Sequence, residues 1–122
     1  MGILAIAAGG ALGAVLRYLI SGWVQELGGT RFPWGTLTVN VTGSFALGLL
    51  MAGLLEHAVG DSSVRTFWTI GVLGAFTTFS TFSFETLALI SVGDWAASFA
   101  NVAGNLGLGL AAALVGLRIG GL

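Results

Sequence analysis

The sequence predicts an all-α membrane protein of four transmembrane helices, and three observations carry that prediction. The chain of 122 residues is 56% hydrophobic and only 7% charged, with a mean hydropathy of +0.99. Soluble domains average about 25% charged residues. Four arginines and five acidic residues cannot clothe a water-facing surface, so lipid must cover most of the protein. Charges and turn residues also cut the chain into four apolar runs, each near the length of about 20 residues that a spanning helix needs. Finally, Trp23, Trp34, Trp68 and Trp95 all fall near run ends, as an aromatic belt at the membrane interfaces requires.

The first helix is expected over residues 3–24, with Arg17 inside it. A polar, Gly-rich loop from Gln25 to Arg31 follows. Pro33 suits the first turn of the next helix, where its missing N–H costs nothing. That second helix is expected over residues 33–55, without a charge. Glu56 to Arg65 read as a loop, with Asp61 or Ser62 as the N-cap of the third helix. The third is expected over residues 66–90 and the fourth over 95–117, with Ser91-Val92-Gly93-Asp94 turning the chain between them. Residues 1–122 read as one transmembrane domain. The start lacks the basic segment of a signal peptide, so residue 1 onward is expected to be mature protein.

Several classes fall away on composition. A net charge of −1 with no basic patch offers nothing to nucleic acid. The chain has no cysteine, and His57, its only histidine, has no second His or Cys near it as a metal partner. No nucleophile, base or phosphate-loop pattern indicates an enzyme.

Four spans put both termini and the second loop on one side of the membrane and the first and third loops on the other. Arg17 and Arg31 lie toward one side, Arg65 and Arg118 toward the opposite one. This two-against-two tally gives no orientation by the positive-inside rule. Either topology is set by other cues, or copies insert both ways and pair antiparallel.

Small residues let membrane helices approach, and polar side chains cross-link them. Gly9 and Gly13 mark such a stripe in the first span. Thr36, Asn40, Gly43, Ser44 and Gly48 do so in the second, and Asn101, Asn105, Gly109 and Gly116 in the fourth. The glycines read as packing. The three asparagines read as lining a polar path, because an amide in lipid must find partners. The third span places Thr77, Thr78, Ser80, Thr81 and Ser83 near its middle, interleaved with Phe76, Phe79 and Phe82. Hydroxyl side chains can interrupt a helix or bond back to it. The spacing leaves a break and a continuous helix equally open. A break at membrane depth would have to be buried in protein or line a cavity. Arg17 and Glu85 are the candidate intramembrane charges, read as interface anchors or, for Arg17, a vestibule residue.

Three segments in order carry a resemblance. Gly10-Ala11-Leu12-Gly13-Ala14-Val15-Leu16-Arg17-Tyr18, the stretch from Gly35 to Phe45, and the stretch from Gly71 to Glu85 with Thr-Thr-Phe-Ser-Thr-Phe at its centre resemble the signatures of the Fluc/CrcB fluoride channels. The resemblance implies an antiparallel, dual-topology homodimer, a third helix broken at its centre, and two pores at the subunit interface. It implies a sodium ion at the dimer centre, held by backbone carbonyls of Gly74 and Thr77 from both copies. Phe79 and Phe82 would turn ring edges to the fluoride path, Asn40 would donate to the ion, and Ser80 and Thr81 would be further donors. Arg17 would stand near the aqueous vestibule. In one departure, Asn101 and Asn105 stand on the fourth helix where the family usually carries a Tyr and Ser track.

The expected activity is passive, electrogenic export of fluoride across the cell inner (plasma) membrane, giving fluoride resistance. Neutral N–H and O–H donors can replace the ion's water without the tight hold of a full positive charge. Two other classes remain open on the sequence. A small dual-topology proton-coupled exporter would want a carboxylate in the first helix, which this chain lacks. A non-conducting structural subunit would explain the small residues but not the asparagines with the Thr/Ser/Phe cluster.

Overall fold

The computed structural model describes residues 2–54 and 62–121, and all regular structure among them is helical. Among the described residues, four helices are long and apolar enough to cross a membrane: α1 (Gly2–Gly28), α2 (Trp34–Gly53), α3 (Ser62–Ser91) and α4 (Trp95–Gly120). Their apolar side chains point mostly outward, among them Ile3, Val15, Ile70, Leu87 and Leu110. In water that surface would be untenable, whereas in lipid it is the solvent contact.

α1 runs one turn past its expected end at Val24. The polar residues that read as a loop close the helix instead. Gly29 (φ 90°) takes the left-handed conformation that terminates a helix at low cost, and its N–H donates to the Gln25 carbonyl at 3.0 Å. The Gln25 side chain then does the work of a missing peptide. Its Nε2 donates to the carbonyls of Gly29 (2.5 Å) and Phe32 (2.8 Å), and its Oε1 accepts from the Gly35 N–H at 3.1 Å. Pro33 precedes the first turn of α2 as its N-cap, one place earlier than expected.

α3 begins at Ser62, a turn before the expected start, so Arg65 is helical rather than in a loop. Glu56, His57 and Asp61, read as loop and cap residues, lie outside the described residues. Between α3 and α4, Gly93 (φ 80°) turns the chain and the Asp94 carboxylate caps α4 by accepting from the Ala97 N–H at 3.1 Å. Arg31 and Asp94 meet at 3.5 Å, which puts the first and third loops at the same end of the bundle. Arg31 is exposed, so this pair adds little stability.

Glycine sets how closely the helices meet. A Cβ on Gly9 would strike the Phe67 carbonyl, and one on Gly13 the Val72 carbonyl, so α1 lies directly on the backbone of α3. Gly48 and Gly116 hold α2 and α4 together in the same way, against the Ala113 and Phe45 carbonyls. These contacts bear out packing as the role of the small-residue stripes. Because the obstacle at Gly13 is backbone, Gly13→Ala should cost about 1–3 kcal/mol. Thermal unfolding in detergent would read this as a lowered midpoint, and an unchanged midpoint would contradict the contact.

Candidate functional site

The local backbone of α3 builds the site. Helical geometry holds through Phe76 and resumes at Phe79, while Thr77 (φ −91°, ψ 155°) and Thr78 (φ −148°, ψ 121°) are extended. Extension frees peptide groups that lipid cannot satisfy, and side chains take up those of Thr78 and the nearby Ala75 carbonyl. Thr78 Oγ1 accepts from the Thr81 N–H at 3.1 Å and so caps the following helical turn. Asn40, on α2, lies against the Thr78 peptide unit. Its Oδ1 accepts from the Thr78 N–H at 2.8 Å, and its Nδ2 donates to the Thr78 carbonyl at 3.0 Å. Arg17 Nε, from α1, donates to the Ala75 carbonyl at 3.0 Å. A cation at the last turn of a helical segment is favoured by the orphan carbonyls there. Gly43 makes room for this arrangement, since any Cβ there would meet the Thr77 methyl and the Phe76 ring.

From Asn40 a line of polar groups continues into α4. The second Nδ2 hydrogen of Asn40 goes to Asn105 Oδ1 at 2.8 Å. Asn105 Nδ2 donates to Asn101, to its carbonyl at 2.9 Å and its Oδ1 at 3.0 Å. Asn101 is wholly buried, and its Nδ2 donates to Thr86 Oγ1 at 3.0 Å. Thr86 Oγ1 in turn donates to the Phe82 carbonyl at 2.8 Å. A wide π-type turn over Gly104–Leu108 carries Asn105 at this point of α4, and such turns recur at functional sites.

Beside this line a cleft of about 230 Å³ opens, bounded by Asn40, Ser44, Thr77, Phe79, Phe82 and Asn105. The Phe79 and Phe82 ring centres stand 5.5 Å apart, tilted by 53°. Phe82 is 8% exposed, whereas Phe79 is 75% exposed on the outer face of the chain.

Of the residues singled out in the sequence, Asn40, Asn105, Phe79, Phe82 and Thr77 come together at this cleft. Asn101 stands behind it, joined through Asn105. Ser80 lies on the exposed side, 3.3 Å from Thr78 Oγ1, and Thr81 enters through its capped N–H. Gly74 is exposed and Arg17 flanks the extended residues from α1. Ser44 and Thr86 join the site although sequence reasoning gave them no site role. Ser44 is one turn beyond Asn40 on the same stripe, and that spacing was the available signal. Glu85 lines a different cleft of about 570 Å³, between the α1–α2 loop and the later part of α3. Its Oε1 is buried and has no hydrogen-bond partner among the described residues.

Four apolar spans around a satisfied polar line, with uncharged donors and aromatic rings at a cleft within the spans, define a multi-pass membrane protein built for moving a small solute. The comparisons are specific. The family described as CrcB-like protein, Camphor Resistance (CrcB), matches residues 4–117, and the chain belongs to that family. It is 47% identical over 118 residues to the fluoride-specific ion channel FluC of Rhizobium meliloti, covering 96% of this chain and 94% of the relative. It is 48% identical to the FluC of Thermus thermophilus (97% and 92% covered). It is 49% identical over 114 residues to that of Alteromonas mediterranea (93% and 90% covered).

Proposed function

We propose that this chain is a fluoride-specific ion channel. It passes fluoride down its gradient through the inner membrane and works as an antiparallel pair of identical copies. The observation that carries the reading is the cleft where neutral amide and hydroxyl groups meet two phenylalanine rings. Membership of the CrcB family, with relatives named as fluoride-specific channels, supports the ion's identity.

Fluoride is compact and holds its water tightly. Moving it into low dielectric without replacement donors costs several kcal/mol or more. Asn40, Ser44 and Asn105 offer such donors without a net charge. Both Nδ2 hydrogens of Asn40 are engaged, with Thr78 and Asn105. Donation to an ion therefore requires Asn40 to exchange one of these partners for fluoride, which keeps the site satisfied when the ion is absent. Ring edges of Phe79 and Phe82 carry partial positive charge and add weaker attraction. Ser80 and Thr81 serve as further donors on the outer face, where a second copy would seat. Exposure of Phe79 on that face supports a pathway between two copies. The balanced arginine tally supports their opposite orientation.

The extended residues Thr77 and Thr78 support a third helix interrupted within the membrane. The donor set there fits a sodium ion. Among the described residues, no side chain or loop amide donates to the Gly74 or Thr77 carbonyl, and unwound carbonyls at a helix interruption are suitable ligands for a hard monovalent cation. When bound by these carbonyls of both copies, such an ion supplies positive potential and ties the copies together. Arg17 holds the neighbouring Ala75 carbonyl and so keeps this turn in place from the vestibule side.

Purified protein in liposomes loaded with fluoride is expected to release it once a potassium ionophore balances charge, with no proton gradient required. Chloride-loaded liposomes should stay closed. Equal chloride release, or no fluoride release, would refute the reading.

A further inference from the structure

Five hydrogen bonds between Thr78 and Phe82 follow one another in one direction, beside the bond that Asn40 Nδ2 returns to the Thr78 carbonyl. The Thr78 N–H donates to Asn40, Asn40 to Asn105, Asn105 to Asn101, Asn101 to Thr86, and Thr86 to the Phe82 carbonyl. The line starts and finishes on α3 and crosses α2 and α4 in between. It therefore forms a closed loop in which the stretch that carries Phe79 and Phe82 is one side. In such a row each donor is also an acceptor, and each bond polarises the next. An acceptor that loses its own onward bond is a poorer acceptor, and the group before it is held less firmly. The end nearest the cleft is the amide of Asn40. The far end is a single hydroxyl, that of Thr86, which does not line the cleft.

We propose that Thr86 is a positioning residue for the ion pathway, setting the orientation and donor strength of the Asn40 amide through Asn101 and Asn105. The functional half of this rests on the channel reading. The structural half does not. Thr86 suits the role because its hydroxyl both accepts from Asn101 and donates to Phe82, and no aliphatic side chain can do both. Asn101 suits it because it is buried without exposure to water that could substitute for a lost partner. The pair of asparagines on α4 also gains a reason. In each amide Oδ1 accepts from the group before and Nδ2 donates to the group after, so two in succession bridge the distance from α2 to Thr86.

The chain contains three asparagines, so labelling asparagine alone with nitrogen-15 gives three side-chain NH2 pairs in a detergent-solubilised sample. Single Asn→Gln substitutions assign them. In Thr86→Val, which keeps the shape but removes the hydroxyl, the Asn101 pair should move, and the Asn40 pair should move upfield although Thr86 does not touch Asn40. Fluoride flux in liposomes should fall about tenfold, the equivalent of one net hydrogen bond. Thr86→Ser should restore both. An Asn40 pair that stays in place while Asn101 moves would overturn the proposal. So would a shifted Asn40 with unchanged flux, or a serine variant as impaired as valine. If Thr86→Val does not accumulate as folded protein, Thr86→Ala carries the same comparison with serine. A wild-type chain that releases no fluoride would sink the channel reading alone, and the amide shifts would still decide for or against the relay.

Discussion

Asn40→Leu is expected to lower fluoride flux by at least about a hundredfold in liposomes. The substitution removes the two-point pairing with Thr78 and the bond to Asn105 together. Leucine nearly preserves volume, so the loss is of hydrogen bonding rather than packing. The Thr78 N–H and carbonyl and Asn105 Oδ1 are then left in a setting with little water, at about 1–3 kcal/mol for each unsatisfied group. Two such groups already account for a hundredfold effect on any state that needs this geometry. Asn40→Asp separates the two roles of the residue. It keeps an acceptor for the Thr78 N–H, removes both donors and adds a negative charge where an anion must pass. Flux near wild type in Asn40→Asp would show that the amide gives nothing to the ion.

The second large effect is expected at the two phenylalanines, and the two should fail differently. Phe82 is buried, so Phe82→Ala should destabilise the fold by about 3–5 kcal/mol as well as reduce flux. Phe79 is largely exposed on the single chain, so Phe79→Ala should leave the fold of each copy intact and still reduce flux about tenfold or more. Thermal unfolding beside liposome efflux checks the contrast. Normal flux from a well-folded Phe79→Ala protein would remove that ring from the pathway.

The four membrane spans were legible in the sequence because the signal is additive. Long apolar runs and tryptophans at their ends report the bilayer whatever the helices do to one another. The extra turn of α1 was not legible. It depends on Gln25 reaching the carbonyls of Gly29 and Phe32, and a glutamine in a polar stretch looks the same whether it caps a helix or faces water. The three asparagines pointed to a polar path. That they form one line depends on how α2 and α4 are rotated, which the Gly48 and Gly116 contacts set. Thr86 was hidden for another reason. It stands between Glu85 and an aliphatic stretch, past the Thr/Ser cluster, where a single hydroxyl reads as one bonded back to its own helix. It does make that bond, to Phe82, and it also takes one from Asn101.

The pairing of Asn40 with Thr78 amounts to a single rung of a β-ladder between two helices. Apolar helix surfaces can slide past one another in small steps, whereas a two-point rung permits no sliding without breaking both bonds. The depth of α2 relative to α3 is thereby fixed to a bond length. A thicker or thinner bilayer must be met by tilting the bundle as a body or by deforming the lipid around it, and the cleft keeps its dimensions while the membrane adapts.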